Sequence, residues 1–187
     1  MFKKSSLWIE RISNPATILL LLFLFAAFQL IFQIGLMPKF KAITGSSRLL
    51  DFELVKSGDD AHEIISGYGE QGKHLYNYIQ LVDTFYPIAY SLLLATLICF
   101  LLHGLAQRLK PICLLPLTGA LFDYTENFGI FLMLRIHPEP IQPIASAAHW
   151  MSLGKFSLIG LSIFIILILG LRLVLKFMQR LIKVSHP

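Results

Sequence analysis

Four uninterrupted apolar runs dominate this chain, and a segment of that kind has few ways to fold. They cover about 15–37 ("PATILLLLFLFAAFQLIFQIGLM"), about 85–105, about 112–134 and about 156–177. Each reaches the roughly 20 residues a helix needs to cross a bilayer core of ~30 Å. In hydrocarbon every backbone N–H and C=O must be satisfied by the chain itself, and a helix does this within one segment. Only 14% of the 187 residues are charged and 56% are hydrophobic, whereas a soluble domain carries about 25% charged residues. The sequence predicts an all-α membrane protein: one membrane domain over 1–187, folded as a four-transmembrane-helix bundle. Asn14 followed by Pro15 makes a good start for the first helix. That run is too long for a signal-peptide core and no small-x-small cleavage site follows it, so it is expected to be retained.

Charge sets the orientation. With the N-terminus in the cytoplasm, Lys3, Lys4, Arg11, Arg108, Lys110, Arg172, Lys176, Arg180 and Lys183 all fall inside, opposed only by Glu10. The other side holds Lys39, Lys41, Arg48, Lys56, Lys73, Arg135 and Lys155 against eight carboxylates. Basic excess marks the cytoplasmic face, so both termini are predicted to be cytoplasmic, in a pattern that suits a bacterial inner membrane. The basic tail "LRLVLKFMQRLIKVSHP" then reads as a topology signal with snorkelling side chains, not as a nucleic-acid site.

The long loop, 38–84, is thereby extracytoplasmic and has its own helical signals. Asp60 with Glu63 three residues on resembles a capping box, and Gly67 is placed to end that short helix. Leu75, Tyr78, Ile79 and Val82 then recur at helical spacing, predicting an amphipathic stretch that leads into the second membrane helix. Such interfacial helices commonly anchor.

Within the third run, "GALFDYTENFGIFLML", sit Asp123, Glu126 and Asn127. At 100° per residue they share an arc with Pro116, Gly119 and Ile130, which must face the bundle because lipid would leave them unsatisfied. Counting about 1.5 Å per residue from Ile112 puts Asp123 roughly 16 Å deep, near the midplane. Gln29 and Gln33, four apart, occupy the outer half of the first helix. Tyr86 and Tyr90 lie near the outer end of the second, with Asp83 a turn above, and Lys155 stands at the outer mouth of the fourth. Interhelical hydrogen bonds in membranes average only about 0.6 kcal/mol, whereas a central Asp costs about 2.5–3.5 kcal/mol. The imbalance favours a functional role for Asp123 and Glu126 over a purely structural one.

Other chemistry is poorly supported. Cys99 and Cys113 lie within or at the cytoplasmic start of helices with no C-x-x-C, which excludes a thiol oxidoreductase. No His-based metal spacing, nucleophile elbow or Gly-rich phosphate loop is present, and three hard oxygen side chains are few for a divalent ion. No cofactor is implied.

The ordered set "LLD" (49–51), "GEQGKHLY" (69–76), Asp83, "YPIAY" (86–90), "FDYTEN" (122–127) and "IASAAHWMSLGKF" (144–156) resembles small four-helix bacterial membrane proteins of unknown function that carry a D-x-x-E-N in the third helix. The resemblance covers about Leu49 to Phe156 and implies that Asp123, Glu126, Asn127, Ser146 and Lys155 sit at motif positions. It brings no activity with it. Similarity to the membrane-associated eicosanoid and glutathione enzymes is confined to a loose match at "DYTEN"; the spacing differs and their arginine-rich motif is missing.

Three roles follow. The first is an outward-opening polar pocket for a small lipid or amphiphile, built from Asp123, Glu126, Asn127, Gln29, Gln33, Tyr90 and Lys155. The second is a membrane enzyme using Asp123 and Glu126 as an acid/base pair on a lipidic substrate. The third is a structural subunit whose polar face docks a partner membrane protein or a second copy.

Overall fold

The computed structural model describes residues 2–46, 48–51, 57–105, 107–139 and 141–185, and among them there are helices and no strand. In chain order these are α1 (Phe2–Ile12), α2 (Pro15–Leu30), α3 (Met37–Thr44), α4 (Gly58–Asp83), α5 (Tyr86–Leu101), α6 (Leu115–Ile136) and α7 (Gln142–Ser185). A π-helical turn, Ile31–Leu36, joins α2 to α3, and a 3₁₀ stretch, Gln107–Leu114, leads into α6.

Three helical stretches are long and apolar enough to cross a membrane: Pro15–Thr44, Gly58–Leu101 and Gln142–Arg180. The 22-residue α6 carries Asp123, Glu126 and Arg135 and is not among them. Asn14 caps α2 as its sequence suggests, its side chain accepting from the Thr17 amide at 3.0 Å.

Several boundaries differ from expectation. The first apolar helix does not stop at Met37. The wide π turn comes immediately before Pro38, where an α-helical register would drive the proline ring into the carbonyl four residues back, and helix then continues to Thr44. The last helix starts at Gln142, not near 156, and runs for 44 residues, about 66 Å at 1.5 Å each. In the outer loop the cap is Ser57, which accepts from the Asp60 amide, so Asp59 and Asp60 fall in the first turn, where the helix dipole favours them. The interruption comes at Gly69, in the left-handed region at φ 61°, not at Gly67. Tyr78 points outward, and its neighbours Tyr76 and Ile79 are the buried residues of that turn. Helix α1, unpredicted, buries Ile9 and is tied to the 3₁₀ stretch by Glu10 and Lys110 at 2.5 Å.

Two apolar cores form at opposite ends. One gathers Phe40, Leu49, Ile65, Tyr68 and Tyr76 from the loop region with Ile130, Met133 and Ala145 from α6 and α7. The other gathers Ile9, Ala95, Ile98, Cys99, Leu102 and Cys113. Between them α6 and α7 pack closely because glycine allows it. A Cβ on Gly154 would lie 2.5 Å from the Phe122 ring, and one on Gly119 would meet Leu158 at 3.5 Å. The layer between the two cores contains the polar residues.

Candidate functional site

Each helix contributes to that layer through its own periodicity. Asp123 and Glu126, three apart on α6, face Ser152 and Lys155, three apart on α7, while α5 presents Tyr90. The Lys155 ammonium bridges both carboxylates, 2.5 Å from Glu126 Oε2 and 3.2 Å from Asp123 Oδ1. Tyr90 donates its hydroxyl to Asp123 Oδ2 at 2.8 Å, and Ser152 donates to Glu126 Oε1. Three of the four carboxylate oxygens accept hydrogen bonds, and the fourth, Glu126 Oε2, is held by ion pairing with Lys155 alone. Asp123, Glu126 and Lys155 are 5%, 1% and 6% exposed, so one cation serves two anions away from solvent.

Lys155 is therefore not at the mouth of its helix. Because α7 begins 14 residues earlier than the apolar run suggests, Lys155 lies well inside it and reaches α6 at the level of Asp123.

A cavity of about 470 Å³ opens beside this network. Asp123, Lys155 and Tyr90 line it, and so do Gln29 and Gln33 from α2 and the π turn. Asp51, Asp83 and Tyr86 complete its polar groups, and Phe25, Leu93, Phe156 and Ile159 are among its apolar walls. No hydrogen bond is made by the side chains of Gln29, Gln33 or Tyr86 with any described residue. The Tyr86 ring sits among Phe25, Phe28, Phe32 and Tyr90 at centroid distances of 5.8, 6.1, 5.7 and 5.3 Å.

Two of the residues grouped by sequence lie elsewhere. Glu126 is behind Lys155 and faces a void of about 10 Å³ that it shares with His149 and Ser152. Asn127 turns toward α4: it donates to Asp83 Oδ2 at 2.6 Å, and its backbone carbonyl accepts from Gln80 at 3.2 Å. It lines a separate groove of about 480 Å³ between α4 and α6, with Gln80, Thr84, Tyr124 and Arg135. Ser146 accepts from Gln142, one turn back on α7, at 3.1 Å.

Asp51, the last residue of the quoted "LLD", comes from the loop and accepts from the Tyr76 hydroxyl at 3.0 Å, a pairing that no local spacing announces. Burial raises its carboxyl above the usual value of 3.8, against the opposing pull of Lys155 and the Tyr76 hydrogen bond. Ser152 was equally hidden, since a serine in an apolar helix carries no mark of its partner. The signal that was present is spacing: Ser152 and Lys155 repeat the three-residue interval of Asp123 and Glu126.

On the outer rim, His62 and His137 stack with centroids 4.5 Å apart, and Ser66 lies 3.0 Å from His137 Nε2. Lys73 approaches His137 Nδ1 at 3.5 Å. Partial burial and the positive neighbours Lys73 and His62 lower the His137 pKa from 6.5. Among the described residues, no three His, Cys, Asp or Glu side chains come together as a metal site. Comparison with protein-family models, with curated proteins and with solved structures gave no match.

Proposed function

We propose that the protein is an integral membrane protein that binds a small lipid or other amphiphile in the cavity beside Asp123 and Lys155. In this reading α6 is the fourth crossing, both termini are cytoplasmic, and the chain resides in a bacterial inner membrane. The basic excess at the chain ends and on the 3₁₀ connection supports the orientation. A membrane helix with two central carboxylates is costly alone, and the buried Lys155 pairing makes α6 acceptable within the bundle.

The observation that carries the reading is the cavity of about 470 Å³, lined by polar groups together with aromatic and aliphatic side chains. Its size lies within the 300–1,000 Å³ or so of small-molecule sites, and its mixed lining suits a ligand with a head and a tail. An acid/base enzyme built on Asp123 and Glu126 is less well supported, because Glu126 is sequestered behind Lys155 and does not line the cavity.

The test is native mass spectrometry and lipid extraction on the wild type and on Leu94→Trp, which fills the cavity from a wall residue without touching the ion network. The expected result is a co-purified molecule present in the wild type and lost in the variant. Equal recovery from both would place the ligand elsewhere and overturn the assignment.

A further inference from the structure

The charge balance of the cavity selects among amphiphiles. Its one cation among the described residues, Lys155, is already engaged by Asp123 and Glu126. Two further carboxylates line the same space, and each has one side-chain donor: Tyr76 for Asp51 and Asn127 for Asp83. No cationic side chain among the described residues lies within ion-pair distance of either. With every group ionised, the cavity and its network carry four negative charges and one positive.

An anionic head group placed here would meet like charge with no free counter-ion among the described residues, whereas a cation would be drawn toward Asp51 and Asp83. The aromatic lining points to the same kind of guest, and further polar groups are there to meet its head. Tyr86 with Phe25 and Phe32 forms an aromatic wall of the cavity, and ring faces attract ammonium groups. Gln29, Gln33 and the Tyr86 hydroxyl line the cavity without protein partners among the described residues, in a setting where an unmet polar group is costly.

We infer that the cavity takes an amphiphile with a cationic head, a protonated amine or quaternary ammonium on an apolar tail, with Asp51 and Asp83 as its counter-charges and Tyr86 beside it. The inference rests on the pocket reading above and adds the sign of the ligand. At about 470 Å³ the cavity falls in the range of about 300–1,000 Å³ usual for small-molecule sites, which admits a medium-chain amine.

The experiment uses purified full-length protein in nanodiscs of zwitterionic lipid and four probes of equal chain length: dodecylamine, dodecyltrimethylammonium, dodecanol and dodecanoate. Saturable binding is read by competition and by the thermal midpoint. Expected is binding of one or both cations at least tenfold tighter than the alcohol, with dodecanoate weaker still. Asp83→Asn and Asp51→Asn should each weaken the cation about tenfold and leave the alcohol unchanged. Because the probe series is read on the wild type, a variant that fails to fold does not remove the test. Dodecanol or dodecanoate binding as tightly as the amines would overturn the cationic head and leave the pocket standing. Saturable binding of none of the four, with no co-purified molecule, would overturn both.

Discussion

Replacing Lys155 with methionine removes the one cation that two buried carboxylates share, and the cost follows from the geometry. At an effective dielectric of about 20, separations of 2.5 and 3.2 Å correspond to gross attractions of about 7 and 5 kcal/mol. The net loss is smaller, because removing the ammonium also removes its own desolvation. Breaking a buried pair by deleting one partner costs about 3–5 kcal/mol in general, and that is the expected loss here. The assay is equilibrium unfolding in mixed micelles across a denaturing-detergent titration, comparing wild type, Lys155→Met, and the triple variant Asp123→Asn, Glu126→Gln, Lys155→Met. The triple variant keeps volume and hydrogen-bonding capacity while leaving no charge, so it should recover most of the loss. A single variant within about 0.5 kcal/mol of wild type, less than a typical hydrogen bond contributes, would refute the shared-cation account. So would a triple variant as weak as the single one.

Three further outcomes are expected. Gly154→Val places a side chain where the Phe122 ring already lies, 2.5 Å from the new Cβ, and should lower stability by about 1–3 kcal/mol in the same titration. Tyr76→Phe leaves Asp51 without its side-chain donor and should cost about 1–3 kcal/mol, with Phe40 and Tyr68 packing retained. Since the folded state lowers the His137 pKa from 6.5, the unfolded state binds more protons below that value. Stability should therefore fall as pH drops below 6.5 through the lowered folded value, and the decline in thermal midpoint between pH 7.5 and 5 should shrink in His137→Gln.

The long apolar runs announce helices plainly, since nothing else can hold so many apolar residues with their backbone satisfied. The arc of Asp123 and Glu126 toward the bundle is legible for the same reason: both are buried, and Gly119 on that arc meets α7. What failed was any inference that equated a helix with its apolar run. Residues 142–155 are helical although polar and small residues interrupt them, so Lys155 was assigned to a mouth when it is an interior residue. Asn127 misled through coarse periodicity: one residue past Glu126, it turns by 100°, enough to face α4 in place of the cavity. Asp51 stands in the quoted "LLD", but its partner Tyr76 is 25 residues away, and loop closure, not local spacing, brings it to the cavity.

The sharing of Lys155 also bears on how the chain is made. At synthesis α6 emerges with both central carboxylates and a single cation, Arg135, in its last turn, and it is not apolar enough to be counted among the spanning helices by itself. Each central carboxylate opposes membrane insertion by about 2.5–3.5 kcal/mol. Its neutralising partner arrives 32 residues after Asp123, on the next helix. On the four-crossing reading, α6 and α7 therefore partition into the bilayer as a hairpin, with commitment delayed until Lys155 has left the ribosome. A chain truncated before Lys155 should leave α6 on the aqueous side, which a glycosylation tag in the α6–α7 turn would report.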